Sequence, residues 1–261
     1  MHMARDEWTR DEMLIAFKLY CELPPGKMNA SNPDVKSIAK LIGRTPGAVS
    51  YRLGNYAYCD PEYTKSGRKG LGNGGDKVER IWNEFSNNME GLINEAEAIL
   101  SKYGYSSGEL KIDTIDSFEA FPPGWEKEQI VMARRNQSFF RETVLASYDN
   151  KCCITGIEEG GLLVASHIKP WRDSDPLTER TNPRNGLCLN ALHDRAFDKG
   201  LLTVRAEDHK VILSKALKRN VDRDIYENLF GIYEDKCITM PAKFIPDGEL
   251  LRYHNEFVFE H

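Results

Sequence analysis

Residues 161–198 constrain the fold more than any other stretch of the chain. Gly161-Leu162-Leu163-Val164-Ala165 is a short apolar run, too short for a stable helix, and it predicts a strand with His167 at its end. Asn185-Gly186-Leu187-Cys188-Leu189 predicts a second strand, and Asn190 to Asp198 a short helix. The unit is strand, long loop, strand, helix. It places a histidine, an asparagine and a second histidine, His193, in order along one small motif.

The N-terminal region reads differently, as short helices over residues 1–86. Thr9 followed three residues later by Glu12 is a capping box, and Met13, Leu14, Phe17, Leu19 and Tyr20 continue at helical spacing. Pro24-Pro25-Gly26 ends that helix. A second helix is expected from about Pro33 to Leu41. A third begins at Thr45-Pro46, with Thr45 as N-cap and Pro46 in the first turn, and stops near Gly54-Asn55. Ala39, Gly43 and Val49 fall where a helix-turn-helix needs a small residue, a left-handed turn and a buried apolar residue. In that arrangement Arg44, Thr45, Ser50 and Arg52 face a major groove. The competing reading is a packing module without DNA contact.

Lys65 to Lys77 is glycine-rich and basic, but it lacks the order of a phosphate-binding P-loop. It reads either as a flexible arm, with Arg68 and Lys69 along a DNA backbone, or as a solvated loop. Val78 to Phe85 and Met89 to about Tyr103 are expected helices. In the second, Leu92, Ile93, Ala96, Ile99 and Leu100 form an apolar stripe that suits a spacer or a dimer contact. Residues 104–133 read as a linker containing Phe121-Pro122-Pro123-Gly124-Trp125, and Gln137 to Tyr148 as the helix that opens the C-terminal module. The expected fold class is α+β. Residues 1–86 form a helix-turn-helix-like domain, 87–133 a helical spacer and linker, and 134–261 the module holding the strand–strand–helix unit.

Within that module, Cys153-Ile154-Thr155-Gly156, Ala165-Ser166-His167-Ile168-Lys169-Pro170-Trp171, Asn185-Gly186-Leu187-Cys188-Leu189, His193-Asp194 and Phe197-Asp198-Lys199-Gly200 follow in order. This set resembles the HNH (ββα-metal) endonuclease family, in the branch found in bacterial restriction-type enzymes. The resemblance implies phosphodiester hydrolysis leaving a 5′-phosphate and a 3′-hydroxyl. It makes His167 the general base, Asn185 the residue that braces the loop and orients the imidazole, and His193 a metal ligand, with Asp198 a weaker second. Histidine suits proton abstraction because its ordinary pKa lies near neutrality. Lys169 and Arg172, with Trp171, are placed to follow a phosphate track.

Three departures from the family pattern shape the expected site. Ser166 stands where many relatives carry Asp or His as a second metal ligand. The metal, Mg²⁺ or Mn²⁺, then rests on few protein ligands and several waters. Cys153 and Cys188 each lack the partner of a C-x-x-C pair, so no structural zinc is expected and both thiols are expected in the core. His209 and His254 lie outside the motif.

The net charge of −5 excludes a uniformly basic nucleic-acid coat protein but permits local basic surfaces. Scattered cysteines and the lack of a long apolar span point to a cytoplasmic protein that does not enter a membrane. The expected partner is double-stranded DNA. A homodimer is the natural arrangement for cutting both strands, because one site nicks one strand. The expected role is a restriction or phage-defence endonuclease for specific or modified DNA. The alternatives are a non-catalytic DNA-binding regulator on a decayed fold, or an RNA- or single-strand-directed nuclease.

Overall fold

The computed structural model describes residues 7–105 and 127–261. The segment Phe121-Pro122-Pro123-Gly124-Trp125, expected to be linker, lies outside the described residues.

The first helix, α1 (Arg10–Glu22), is closed at its start by the Thr9–Glu12 capping box, with both reciprocal bonds present. Residues Glu12 to Cys21 are all buried, so α1 is the central post around which the other N-terminal helices pack. Phe17 stacks on Tyr56 at 4.7 Å and meets Trp82 at a tilt, 5.4 Å between centroids, which joins three helices through one aromatic nest.

Next, α2 (Pro33–Leu41) and α3 (Pro46–Cys59) are joined by a tight turn. Gly43 sits there at φ 64°, and Thr45 caps α3 by accepting from the Ala48 amide. α3 runs past Gly54-Asn55, where the sequence pattern suggested a stop. Gly54 is a point of close approach instead, since a Cβ there would lie 2.7 Å from the Leu71 side chain. The Asn55 amide donates to the carbonyls of Leu71 and Gly72, so it anchors a loop rather than ending a helix.

These contacts also correct the reading of Lys65 to Lys77 as a flexible arm. Leu71 N donates to Gly54 O at 2.7 Å, Arg52 reaches Gly74 O, and Gly70 lies against the Tyr58 backbone. The middle of the loop is pinned along α3.

A short α4 (Pro61–Lys65) follows, capped by Asp60, whose other oxygen accepts from the Tyr20 hydroxyl at 2.7 Å. α5 (Asp76–Phe85) and α6 (Met89–Lys102) complete the helical unit. The α6 stripe does not act as a spacer or a dimer contact. Leu92, Ile93, Ile99 and Leu100 are buried in the same core as α1, and Ala96 is fully buried.

The C-terminal part opens with α7 (Lys127–Ser147), which begins ten residues before the expected Gln137. β1 (Leu163–His167) pairs antiparallel with β2 (Gly186–Asn190), Leu163 opposite Asn190 and His167 opposite Gly186. Gly186 lets α7 approach closely, because a Cβ there would lie 2.4 Å from Val144. α8 (Ala191–Asp198) follows directly, capped by Asn190, whose side-chain oxygen accepts from the Leu192 and His193 amides. A second hairpin, β3 (Leu202–Val204) with β4 (Val211–Leu213), and three short helices, α9 (Lys215–Asn220), α10 (Arg223–Leu229) and α11 (Gly248–Tyr253), surround this unit. The whole is a helical N-terminal region followed by a mixed unit with two small sheets. None of its described helices is long and apolar enough to cross a membrane.

The two parts are tied together by buried polar contacts. Lys243 is fully buried and donates to three carbonyls at the end of α1, Tyr20 at 2.6 Å, Leu23 at 2.9 Å and Cys21 at 3.0 Å. An ammonium there satisfies carbonyls that a helix end leaves open and complements the negative end of its dipole.

Candidate active site

His167 ends β1, half-buried, with its imidazole held on three sides. Phe140 of α7 stacks on one face at 3.9 Å with 6° between the planes. Trp171 meets the ring edge-on at 5.7 Å. Nε2 lies 3.0 Å from the Arg180 carbonyl oxygen. A carbonyl only accepts, so Nε2 carries the proton and Nδ1 carries the lone pair. No hydrogen bond joins Nδ1 to another described residue. Burial lowers the His167 pKa to about 4, with the Arg180 carbonyl opposing. The imidazole is therefore neutral at neutral pH, with its lone pair on Nδ1.

Behind His167, Asn185 closes the loop between the strands. It is fully buried. Its oxygen accepts from Lys169 N at 2.8 Å, and its amide faces Ser174 Oγ, Lys169 O and Glu179 O at 3.2 to 3.3 Å. The backbone adds Ile168 N to Asn185 O at 2.9 Å. Lys169 pairs with Glu179 at 2.7 Å, and Glu179 also accepts from the Asp175 amide. The Arg180 side chain donates to Trp171 O and Ser174 O and lies over the Trp171 ring at 5.1 Å. The loop thus carries its own polar core, and the Arg180 carbonyl that holds His167 is part of it.

His193 lies elsewhere in the unit. It is 2 % exposed, on the first turn of α8, beside the Asn190 end of β2, whereas His167 is opposite Gly186 at the other end. Its Nδ1 is 2.9 to 3.1 Å from the Asn190 amide group, and the rings of Phe230 and Tyr233 stand 5.3 and 5.5 Å away. Burial lowers its pKa to about 4, and the Leu229 carbonyl opposes this. Its Nε2 is buried beside the Leu229 carbonyl, without a hydrogen bond of ordinary geometry, and Ser166 Oγ on β1 is buried without a partner.

A neutral imidazole positioned through its other nitrogen is the usual form of a metal-binding histidine. His193 therefore fits one ligand position of a divalent ion. Asp198 does not join it. α8 is regular through Asp198, five residues correspond to about 140° around a helix, and Asp198 is exposed where His193 is buried. No group of three or more His, Cys, Asp or Glu side chains able to hold a metal occurs among the described residues. Cys153 and Cys188 are buried in the apolar core of this part, and burial pushes both thiols up, Cys188 to about 12.

His254 belongs to the packing, not the site. Its ring stacks on Phe197 of α8 at 3.7 Å, Nδ1 lies 2.8 Å from Thr203 Oγ1, and Nε2 donates to Phe197 O at 3.2 Å. His209 occupies a left-handed turn position at φ 57° before β4.

The candidate DNA contacts divide into two groups. Arg44 pairs with Glu12 at 2.7 Å, and Arg44 and Arg52 lie over the Trp8 ring at 5.1 and 4.7 Å. Ser50 donates to Met28 O. Those three, like Lys169, are engaged inside the protein. Thr45, Arg68, Lys69 and Arg172 are exposed, with Arg68 near Ser66 and Arg172 near Asp173.

Sequence reading missed three contributors. Phe140 was readable as an apolar helix face, but not as the ring clamping His167. Arg180 was readable as a basic side chain, whereas its carbonyl makes the contact. Asn190 was readable only as the start of a short helix, not as the cap of α8 that also bonds His193.

A two-stranded hairpin followed by a helix, with a braced imidazole on the first strand, is a ββα unit. Residues 152–205 match the model of a family described as HNH endonuclease, so the chain carries an HNH domain spanning β1 to just past β3. No curated protein matches the chain. Nucleases of this type typically use a divalent metal.

Proposed function

We propose that this protein is a divalent-metal-dependent DNA endonuclease in which His167 Nδ1 is the general base. The supporting observation is the 3.0 Å contact from His167 Nε2 to the Arg180 carbonyl, which puts the proton on Nε2 and the lone pair on Nδ1. A water beside Nδ1 loses its proton to that nitrogen as its oxygen bonds to phosphorus, while the P–O3′ bond breaks and the departing 3′ oxygen takes a proton from solvent. Asn185 acts as the brace: through Lys169, Ser174 and Glu179 it maintains the loop that supplies the Arg180 carbonyl. His193 Nε2 is the protein ligand proposed for Mg²⁺ or Mn²⁺, and the bound ion supplies charge neutralisation at the scissile phosphate.

The N-terminal unit is proposed to read DNA through α2 and α3, with Thr45, Arg68 and Lys69 on phosphates, and Arg172 of the loop between β1 and β2 to add a phosphate contact from the nuclease part. The role is restriction or phage defence against specific or modified sequences. Cleavage of modified and unmodified plasmid with Mg²⁺ or Mn²⁺ tests the proposal. Wild type should cut and His167→Ala should not; equal cutting by both sinks the mechanism.

A further inference from the structure

Glu62 lies in α4, in the helical unit, 122 residues before Arg184. Its Oε1 pairs with the Arg184 guanidinium, and its Oε2 accepts from the Ile245 amide at 2.8 Å. Both charged side chains are largely withdrawn from water, 15 % and 22 % exposed. Each carboxylate oxygen thus holds a different segment of the C-terminal part.

Those two segments meet again behind the site. Asp247 N donates to the Arg184 carbonyl at 3.0 Å. Arg184 is the middle residue of the 3-10 turn Pro183–Asn185 and directly precedes Asn185. The stretch from Ala242 to Asp247 is a strap. Ala242 N bonds Ser147 O of α7, Lys243 grips the end of α1, Ile245 N grips Glu62, and Asp247 N grips Arg184. Glu62 is where the strap, the Asn185 turn and the helical unit share one side chain. It stands three residues after α3 ends, so a shift of α3 reaches this junction directly.

We propose that Glu62 is a positioning residue for the nuclease site: its carboxylate, shared between Arg184 and Ile245, holds the Asn185 turn in register and couples the α3–α4 helices to the loop that carries the contact to His167. The catalytic part of this inference rests on the nuclease reading above. The mechanical part does not. A charge-assisted pair with little exposure is among the stronger side-chain contacts, and its loss opens the segment it holds.

The test compares wild type, Glu62→Gln, Arg184→Lys and His167→Ala by hydrogen exchange and by cleavage kinetics on full-length protein. Glu62→Gln should speed exchange at the Ile168, Lys169 and Asn185 amides about tenfold, with α1 protection unchanged. It should lower kcat by a similar factor at constant KM, while Arg184→Lys, which keeps a cation, stays near wild type. If Glu62→Gln does not fold, Arg184→Gln removes the same pair from the other side and the same amides are read. Unchanged exchange at those amides in a folded variant overturns the proposal. A wild type that cuts no better than His167→Ala overturns the nuclease reading alone, since the exchange result still decides the coupling.

Discussion

His167 Nε2 is 3.0 Å from the carbonyl oxygen of Arg180, a residue 13 positions later at the far side of the loop between β1 and β2. Because the partner is a backbone carbonyl, the protonated nitrogen is settled by main-chain geometry rather than by a titratable neighbour. Burial lowers the His167 pKa to about 4. Protonation, which disables a base, therefore begins only as pH falls toward 4. The acid limb of kcat/KM should fall near pH 4 rather than near the ordinary histidine value of about 6.5. A pH–rate profile from 3.5 to 8 on a short duplex checks this, and an acid limb centred near 6.5 that persists in substrate excess refutes the assigned environment.

Asn185 satisfies a backbone amide and two backbone carbonyls that no water is needed to reach. Asn185→Ala leaves them unpaired in a buried site, at about 1–3 kcal/mol for each such group. Asn185→Asp keeps the acceptor for Lys169 N but loses the amide donors. Cleavage should drop about 10- to 100-fold in both, with the larger stability loss in Ala. Single-turnover rates and denaturant melts of the two variants separate the effects. Wild-type cutting by Asn185→Ala would remove Asn185 from the mechanism.

The strand–loop–strand–helix order is legible because two apolar runs and the polar gap between them each leave a local mark. Those marks misplace the strands by only one or two residues, and His167 ends β1 as expected. What stayed hidden is nonlocal or carries no residue-type signal. The Arg180 carbonyl could belong to any residue. The Phe140 stack on His167 depends on the angle at which α7 crosses the hairpin. Lys243 inserts under a helix more than 200 residues upstream, and a lone lysine in sequence gives no sign of burial. Gly54 misled for a related reason: a glycine inside a helix resembles a stop until the loop packed against it is known.

The Lys243 contact gives its own prediction. Lys243→Met preserves the stem but leaves the carbonyls of Tyr20, Cys21 and Leu23 without their donor. The cost should be about 3 kcal/mol or more, given three buried acceptors and a charged donor. Chemical denaturation reads it directly. A change under about 1 kcal/mol would mean that water replaces the ammonium, and the strap would then contribute little to docking.

His254 predicts an acid-sensitive tail. Its folded pKa is lowered to about 4 by burial, below the unfolded value near 6.5. The folded form binds the proton less tightly than the unfolded chain. Its contribution is therefore complete above about pH 6.5 and is lost as pH falls toward 4, with a slope of up to about 1.4 kcal/mol per pH unit. His254→Gln keeps hydrogen-bonding capacity toward Thr203 and Phe197 O without a titrating group. The variant should be less stable at pH 7 and should lose less on acidification. Melting curves at pH 7, 6 and 5 test this, and parallel acid losses in wild type and variant would assign the sensitivity to other groups.

His193 and Asp198 give opposite expectations from one helix. The His193 imidazole is buried and neutral, with Nε2 beside the Leu229 carbonyl, while Asp198 is exposed on another side of α8. If the ion takes His193 as its protein ligand, His193→Ala should raise the metal concentration for half-maximal cutting about 10-fold or more. Asp198→Ala should leave that concentration within about twofold, because an exposed carboxylate on a different face adds no ligand. Titrating Mg²⁺ and Mn²⁺ against both variants decides between the sites. Equal shifts would place the carboxylate beside the ion and require α8 to unwind at its end, whereas no shift in His193→Ala would move the metal away from this histidine. Because Phe230 and Tyr233 stand against the His193 ring, Tyr233→Ala serves as the control for access. Tighter metal binding in that variant means the aromatic wall obstructs the ligand, and unchanged binding means the ion reaches Nε2 from the side of β1.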